Sequence, residues 1–329
     1  MKKYSPILLS LLTVVLLFYV AVTKKDTKPN TIKSTKNVDV KSINDTKGVQ
    51  KNPNSNSLGA FTRQANCMRP PQFLRRLKIP QPVIIDLSQK RYKGVAIHYG
   101  KRFQKTMHPK TWEKYAYFST YTLDTQGNIY LIPAPFISIQ ADTFELQKNI
   151  YKVDTQSNEL AVFMSFDDVT ASSNNPYGMN AITFDCDDKT LWASAIDKST
   201  YEHQNGIIYH INPATQKVLQ KVAGFDVLTM RLINTKTGKH LLVGSARDNG
   251  LYAYKVIQGQ LSKTPEKLLE LPSANEHIKK IKIKGNNHLE LQTIPFSYSL
   301  IAQSSKKDRG VYDARWNEAS NKWSLKKRP

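Results

Sequence analysis

Asp185, Asp187 and Asp188 stand within four positions, a density of acidic oxygens that a calcium loop could use. Asp124 and Asp154 fill similar places in sibling segments, and an Asp that accepts from the backbone two residues on is ordinary turn chemistry. The sequence therefore reads all five as hairpin turns. The seven histidines (His98, His108, His203, His210, His240, His277 and His288) show no HExxH or comparable pairing, and His210 reads as a packed or solvated strand residue. No nucleophile elbow, phosphate loop or dinucleotide fingerprint is present. The densest aromatic stretch runs from Trp112 through Tyr115 and Tyr117 to Phe118 beside a basic segment. It is a candidate carbohydrate- or peptide-binding surface, against the alternative of core packing in the first repeat. Cys67 and Cys186 allow one disulfide in an oxidising compartment, but spacing does not say whether their Cα atoms come within reach.

Strands must position these residues. Residues 181–184 and 191–195 alternate about a polar turn at 185–189, and 206–211 and 218–222 alternate about Asn212-Pro213. Four antiparallel strands in about 45 residues is the size of one propeller blade. The inner hairpin recurs at 120–132, 181–195, 230–246 and 278–294. The outer one recurs from Asn149, Gly206, Gly250 and Gly310, with Tyr151, Tyr209, Tyr252 and Tyr312 in the same place. Residues 83–87 and 94–99 add strands at the front, and 323–325 could close the ring. The expectation is an all-β β-propeller at 67–329, of six blades with five as the alternative count, after an N-terminal apolar helix and a disordered linker.

Pro176-Tyr177-Gly178 leading into 181–192, and Asp248-Asn249-Gly250-Leu251-Tyr252, resemble the blades of six-bladed NHL and SMP-30/gluconolactonase-type propellers. The resemblance covers roughly 121–323 by repeat logic and a few residues per blade by motif. It implies, on the lactonase side, a divalent cation (Ca2+ or Zn2+) at the channel mouth, held here by Asn175, Asp197 and Asp248. This chain departs from that pattern, for no Glu stands near Tyr121 where the first ligand is expected. The competing reading of Asn175 and Asp197 is loop hydrogen bonding.

Lys2 and Lys3 precede an apolar run at 7–22 that Lys24 and Lys25 end, the signature of an export segment. Residues 1–22 are read as an uncleaved signal-anchor, with a cleaved signal peptide as the alternative. Residues 23–66, polar and nearly free of aromatics, read as a disordered tether reaching roughly 35–40 Å. Net charge is +6 over 23–66, +10 over 67–114, −1 over 115–305 and +5 over 306–329. Basic flanks around a neutral body favour an envelope protein or an anionic polysaccharide or lipid as partner. Export, and few stacking aromatics beyond Trp316 and Trp323, count against nucleic acid. The expectation is an exported, membrane-tethered, monomeric propeller acting as a binding module in the cell envelope, with a metal-dependent lactonase- or esterase-like hydrolase as the alternative.

Overall fold

Where apolar residues alternate about turn-formers, the backbone runs as antiparallel strands, because only then do both its hydrogen bonds and its apolar face find partners. The computed structural model describes residues 58–87, 93–115, 117–135, 144–300 and 309–329. The first element is a short strand, β1 (Phe61–Arg63), followed by helix α1 (Gln72–Arg76). Blade 1 has three strands, β2 (Ile84–Asp86), β3 (Ala96–Tyr99) and β4 (Lys105–Met107). Blade 2 has β5 (Phe118–Leu123), β6 (Ile129–Pro133), β7 (Asn149–Val153) and β8 (Leu160–Ser165). Blade 3 has β9 (Met179–Asp185), β10 (Thr190–Ala195), β11 (Ile207–Asn212) and β12 (Lys217–Ala223). Blade 4 has β13 (Val227–Thr235), β14 (Gly238–Ser245) and β15 (Gly250–Ile257), with β16 (Gln260–Leu261) and β17 (Glu266–Glu270) both paired to β15. Blade 5 has β18 (His277–Gly285), β19 (His288–Ile294), β20 (Val311–Asn317) and β21 (Lys322–Lys327).

The described residues therefore form a β-propeller of five blades, the alternative count, rather than six. The closing strand expected near Trp323 is β21, the fourth strand of blade 5, so it completes an existing sheet instead of opening another. The basic C-terminal stretch is this outer hairpin rather than a free tail, and Trp316 and Trp323 pack together in its core at 5.6 Å between ring centroids. The third-strand tyrosines fall on β7, β11, β15 and β20 as the repeat predicts.

Separate apolar clusters fill the seams between blades 1 and 2, 2 and 3, 3 and 4, and 4 and 5. In blade 3 every residue of β9 and β10 is buried, as expected for strands covered on both faces. Blade 5 differs. Ile281, Leu291, Ile283, Leu289, Ala314 and Leu325 share the face that meets blade 4, while Lys282, Glu290 and Asp313 align across three strands on the other. That is the alternation of a sheet with one wet face.

Residues 58–66 are not part of a disordered linker, as the sequence suggested, but the start of a strap across the face bearing the first hairpin turns. Leu58 and Phe61 are buried in the blade 4/5 core, β1 pairs with β13, and Phe61 exchanges hydrogen bonds with Asn287 in the blade 5 turn. Gln64 donates to Asp185 and Asp187 of blade 3 at 3.0 and 2.9 Å. The Cys67–Cys186 disulfide follows, with Cα atoms 5.5 Å apart, and the Arg69 amide reaches the Asp124 carbonyl of blade 2. Gly127 lies so close beneath the strap that a Cβ there would sit 2.6 Å from the Pro70 carbonyl oxygen. The expected apolar helix (1–22) and the tether up to residue 57 lie outside the described residues. Among those described, no helix is long and apolar enough to cross a membrane.

Candidate functional site

The innermost strands β2, β5, β9, β13 and β18 line a cavity of about 1510 Å3. Nine of its lining residues are Arg or Lys and none is Asp or Glu. Five of the nine (Arg231, Lys279, Lys280, Lys282 and Lys284) come from 115–305, the stretch whose net charge is −1. That stretch is thus neutral in sum but sorted, with these five cations set along the cavity.

The nine are not equal. Lys282 is held by Glu290 at 2.7 Å, Lys327 by Glu276 at 2.6 Å, and Arg328 by Asp313 and Glu290. Arg63, Arg231, Lys279 and Lys280 form no ion pair with any described carboxylate, so their charge is available. Lys279 is half-buried in the cavity wall, where desolvation pulls its ammonium down to about 8. Burial also lowers Arg231, and the neighbouring Arg63 adds to the effect. Lys280 is lowered by desolvation, then by Lys282 and Arg231. Arg231 and Lys279, partly buried in this wall, bear a desolvation cost that no ion pair with a described carboxylate offsets. Tyr121, at 37% exposure the most open aromatic residue of the cavity, lies beside Arg231. Ser119, Thr120 and Thr229 add hydroxyl groups.

Asn175, Asp197 and Asp248 lie instead in the loops at the opposite end from the strap. The Asn175 amide donates to the carbonyls of Ile196 and Ser199 at 2.6 and 2.9 Å, and its oxygen accepts from the Tyr177 amide. Asp197 accepts from the Thr170 amide at 2.9 Å, and burial raises its carboxyl above the usual range. Asp248 takes the Gly250 amide and, at 2.5 Å, the Tyr252 hydroxyl. It belongs to a device repeated in three blades, in which a third-strand Tyr bonds a loop carboxylate and a fourth-strand Lys lies over the ring. The sets are Tyr209 with Asp168 and Lys221, Tyr252 with Asp248 and Lys267, and Tyr312 with Glu276 and Lys327. These contacts are the loop hydrogen bonding that the sequence offered as the competing reading, and among the described residues no three His, Cys, Asp or Glu side chains gather to hold a metal ion.

Of the aromatic stretch, Trp112 is fully buried, donates its indole N–H to the Asn158 carbonyl at 2.9 Å and packs on Phe73. Tyr115 is half-buried against Tyr151 at 5.3 Å, and the backbone of Tyr117 accepts from Ala134. Core packing accounts for Trp112. Asp185 combines its expected turn bond to the Asp187 amide with a 2.7 Å ion pair to Lys239. His210 stacks on Trp192 with centroids 3.8 Å apart.

The cavity cations escaped the sequence reading because they lie on separate strands whose inner edges converge only in the fold. The one legible signal was IKKIKIKG at 278–285, where four lysines sit between isoleucines.

No protein-family model matches the chain, and no curated protein matches it. Among solved structures it is similar to the nidogen/laminin complex, at 9% identity over 70% of this chain and 71% of that one, with a TM-score of 0.43. It is similar to a streptogramin B lyase at 10% identity over 85% of both chains, with a TM-score of 0.42. It is also similar to hydrazine synthase of Kuenenia stuttgartiensis at 13% identity over 75% and 80%, with a TM-score of 0.41. The propeller assignment rests on the strand pairing above, not on these likenesses.

Proposed function

We propose that this chain is an exported binding module: a propeller carried by an N-terminal apolar anchor and a polar tether, whose cavity takes an anionic partner in the cell envelope. The observation that carries this reading is the cavity of nine basic and no acidic lining residues, five of the nine drawn from a stretch, 115–305, whose net charge is −1. A protein selected for solubility alone has no reason to gather unpaired cations in a concavity, where like charges repel and those drawn into the wall, Arg231 and Lys279, lose hydration. An anion entering such a site regains that energy, and low-dielectric walls focus the attraction. The Cys67–Cys186 bridge agrees with an oxidising compartment. A tether arriving at Leu58 joins the strap face, which leaves the loops at the other end free.

The test is a titration of the full-length chain in detergent with chondroitin sulfate, and with the same polymer desulfated and carboxyl-methylated. The anionic form binds and the neutral form does not. If Arg63, Arg231, Lys279 and Lys280 all engage, the slope of log K against log salt is at most about −3, taking the single-strand coefficient as a ceiling. Arg231→Gln with Lys279→Gln weakens binding by about tenfold or more. Equal binding of both polymers, or binding indifferent to that double substitution, sinks the reading.

A further inference from the structure

The cavity reaches, in its lining, beyond the axis toward the seam between blades 5 and 1. Besides the axial residues it is lined by Ile85 and Leu87 of the first blade and, on the last, by Gln292, Val311 and Arg328. Gln292 pairs with Val311, whose carbonyl takes the Arg328 amide, so these three trace a row outward across blade 5, on the face turned away from blade 4. The space therefore continues from the axis along the free face of blade 5 to its rim. Apolar clusters fill four of the five seams of the ring, and among the described residues none joins blade 5 to blade 1. The face that blade 5 presents there is built for water: Arg328 forks onto Asp313 at 2.7 and 2.8 Å and reaches Glu290 at 2.9 Å, while His288 and Lys282 brace the same two carboxylates. Below, the strap crosses the turn end of the inner strands, and Arg63 and Met68 from it line the cavity floor.

We infer that an internal stretch of a linear anionic glycan is laid into this cavity from the side, through the seam between blades 5 and 1, rather than threaded end-first along the axis. The inference rests on the anion-binding reading above and adds the ligand class and its route. Charge selects the anion, since the axial cations are unpaired while Lys327 and Arg328 at the rim are already held by Glu276, Glu290 and Asp313. The seam is a polar passage whose Lys327 and Arg328 are already paired, and Arg63, Arg231 and Lys279 form the seat. Tyr121 as the sole aromatic residue in the wall, set among hydroxyl groups, suits a sugar ring and offers no platform for successive bases.

The experiment measures association of the full chain with chondroitin sulfate whose two ends both carry a bulky protein cap, against the uncapped polymer and the neutral, methylated control. Lateral entry gives association rates for capped and uncapped chains that agree within about twofold. Gln292→Trp, which narrows the seam, slows capping-independent association by about tenfold while a short anionic tetrasaccharide still binds as before. Uncapped chains that bind while capped chains do not overturn lateral entry and leave the anion site standing. Failure of capped and uncapped chains alike to outcompete the neutral control overturns the anion site itself, and the inference with it.

Discussion

Breaking the Cys67–Cys186 bridge, by reduction or by the double change Cys67→Ser and Cys186→Ser, should act chiefly on the unfolded chain. The two residues are 119 apart in sequence, and the chain-entropy treatment of a loop that long gives about 5 kcal/mol of stabilisation. Little of this is offset in the native state, for the strap has other holds. β1 stays paired with β13, Phe61 with Asn287, Gln64 with Asp185 and Asp187, and Arg69 with Asp124. With about 250 described residues at ~2.1 cal/mol/K each, unfolding entropy is about 0.5 kcal/mol/K, so the melting temperature should fall by roughly 9–10 °C. Calorimetry of the oxidised chain, the reduced chain and the double Ser variant provides the assay, the latter two agreeing with each other. A fall below about 2 °C would refute the loop-entropy account. A fall beyond about 15 °C, with loss of the β1 amide protection, would show instead that the bridge is what holds the strap down.

Docking of an anion that restores charge to Lys279, held near 8 by burial, takes up as much as one proton near pH 9. Calorimetric binding heats should then depend on buffer ionisation, and affinity should fall by up to about tenfold per pH unit above 8; buffer-independent heats would mean that no anion reaches this amine. In the free protein the same depression costs stability in full below pH 8 and is relieved between 8 and 10.5, because there the unfolded chain binds the extra proton. Burial alone would raise Asp185, yet Lys239 and Gln64 win and hold it below its ordinary value, so its contribution is present above about pH 4 and is lost as pH falls through the depressed value. Asp185→Asn should cost about 3 kcal/mol and flatten the acid limb of the stability profile, read by urea unfolding; an unchanged limb would remove this clasp from the argument. Gly127→Ala, at φ +92° and with the Pro70 carbonyl in the way, should cost about 1–3 kcal/mol and loosen amide protection in the strap; wild-type stability would show that the strap does not press on this turn.

What the sequence showed clearly was local. Turn residues at 185–189 and 285–287, and tyrosines at one place in each outer hairpin, act within a dozen residues, so blades 2 to 5 were legible. Blade 1 was legible in part: the strands expected at 83–87 and 94–99 are β2 and β3, while β4, three residues long, carries too few alternations to register. The strap was hidden for a different reason. Leu58 and Phe61 are isolated apolar residues in a polar stretch, and what orders them is a groove between blades more than 170 residues away in sequence. The contacts of Asp248 with Tyr252 and Lys267 were not legible, because they come from a repeated contact across strands rather than a repeated motif. The disulfide could not be inferred at all, since nothing in a spacing of 119 fixes two Cα atoms at 5.5 Å.

The free face of blade 5 can be put to a test whose magnitude alone decides. Arg328 serves Asp313 and Glu290 at once, and Glu290 is 4% exposed. If the seam toward blade 1 is open to water, Arg328→Ala leaves Lys282 on Glu290 and His288 on Asp313, water solvates the remaining lone pairs, and the loss stays under about 1 kcal/mol, as for a surface pair. If the seam closes in solution, Ile85 and Leu87 come down over the row and the same change strands two carboxylates in an apolar contact, at about 3–5 kcal/mol. Urea unfolding separates the two outcomes, and salt separates them again, because only the open face is screened. A small, salt-sensitive loss keeps the side entrance. A large, salt-insensitive one closes it and returns the ligand to the axis.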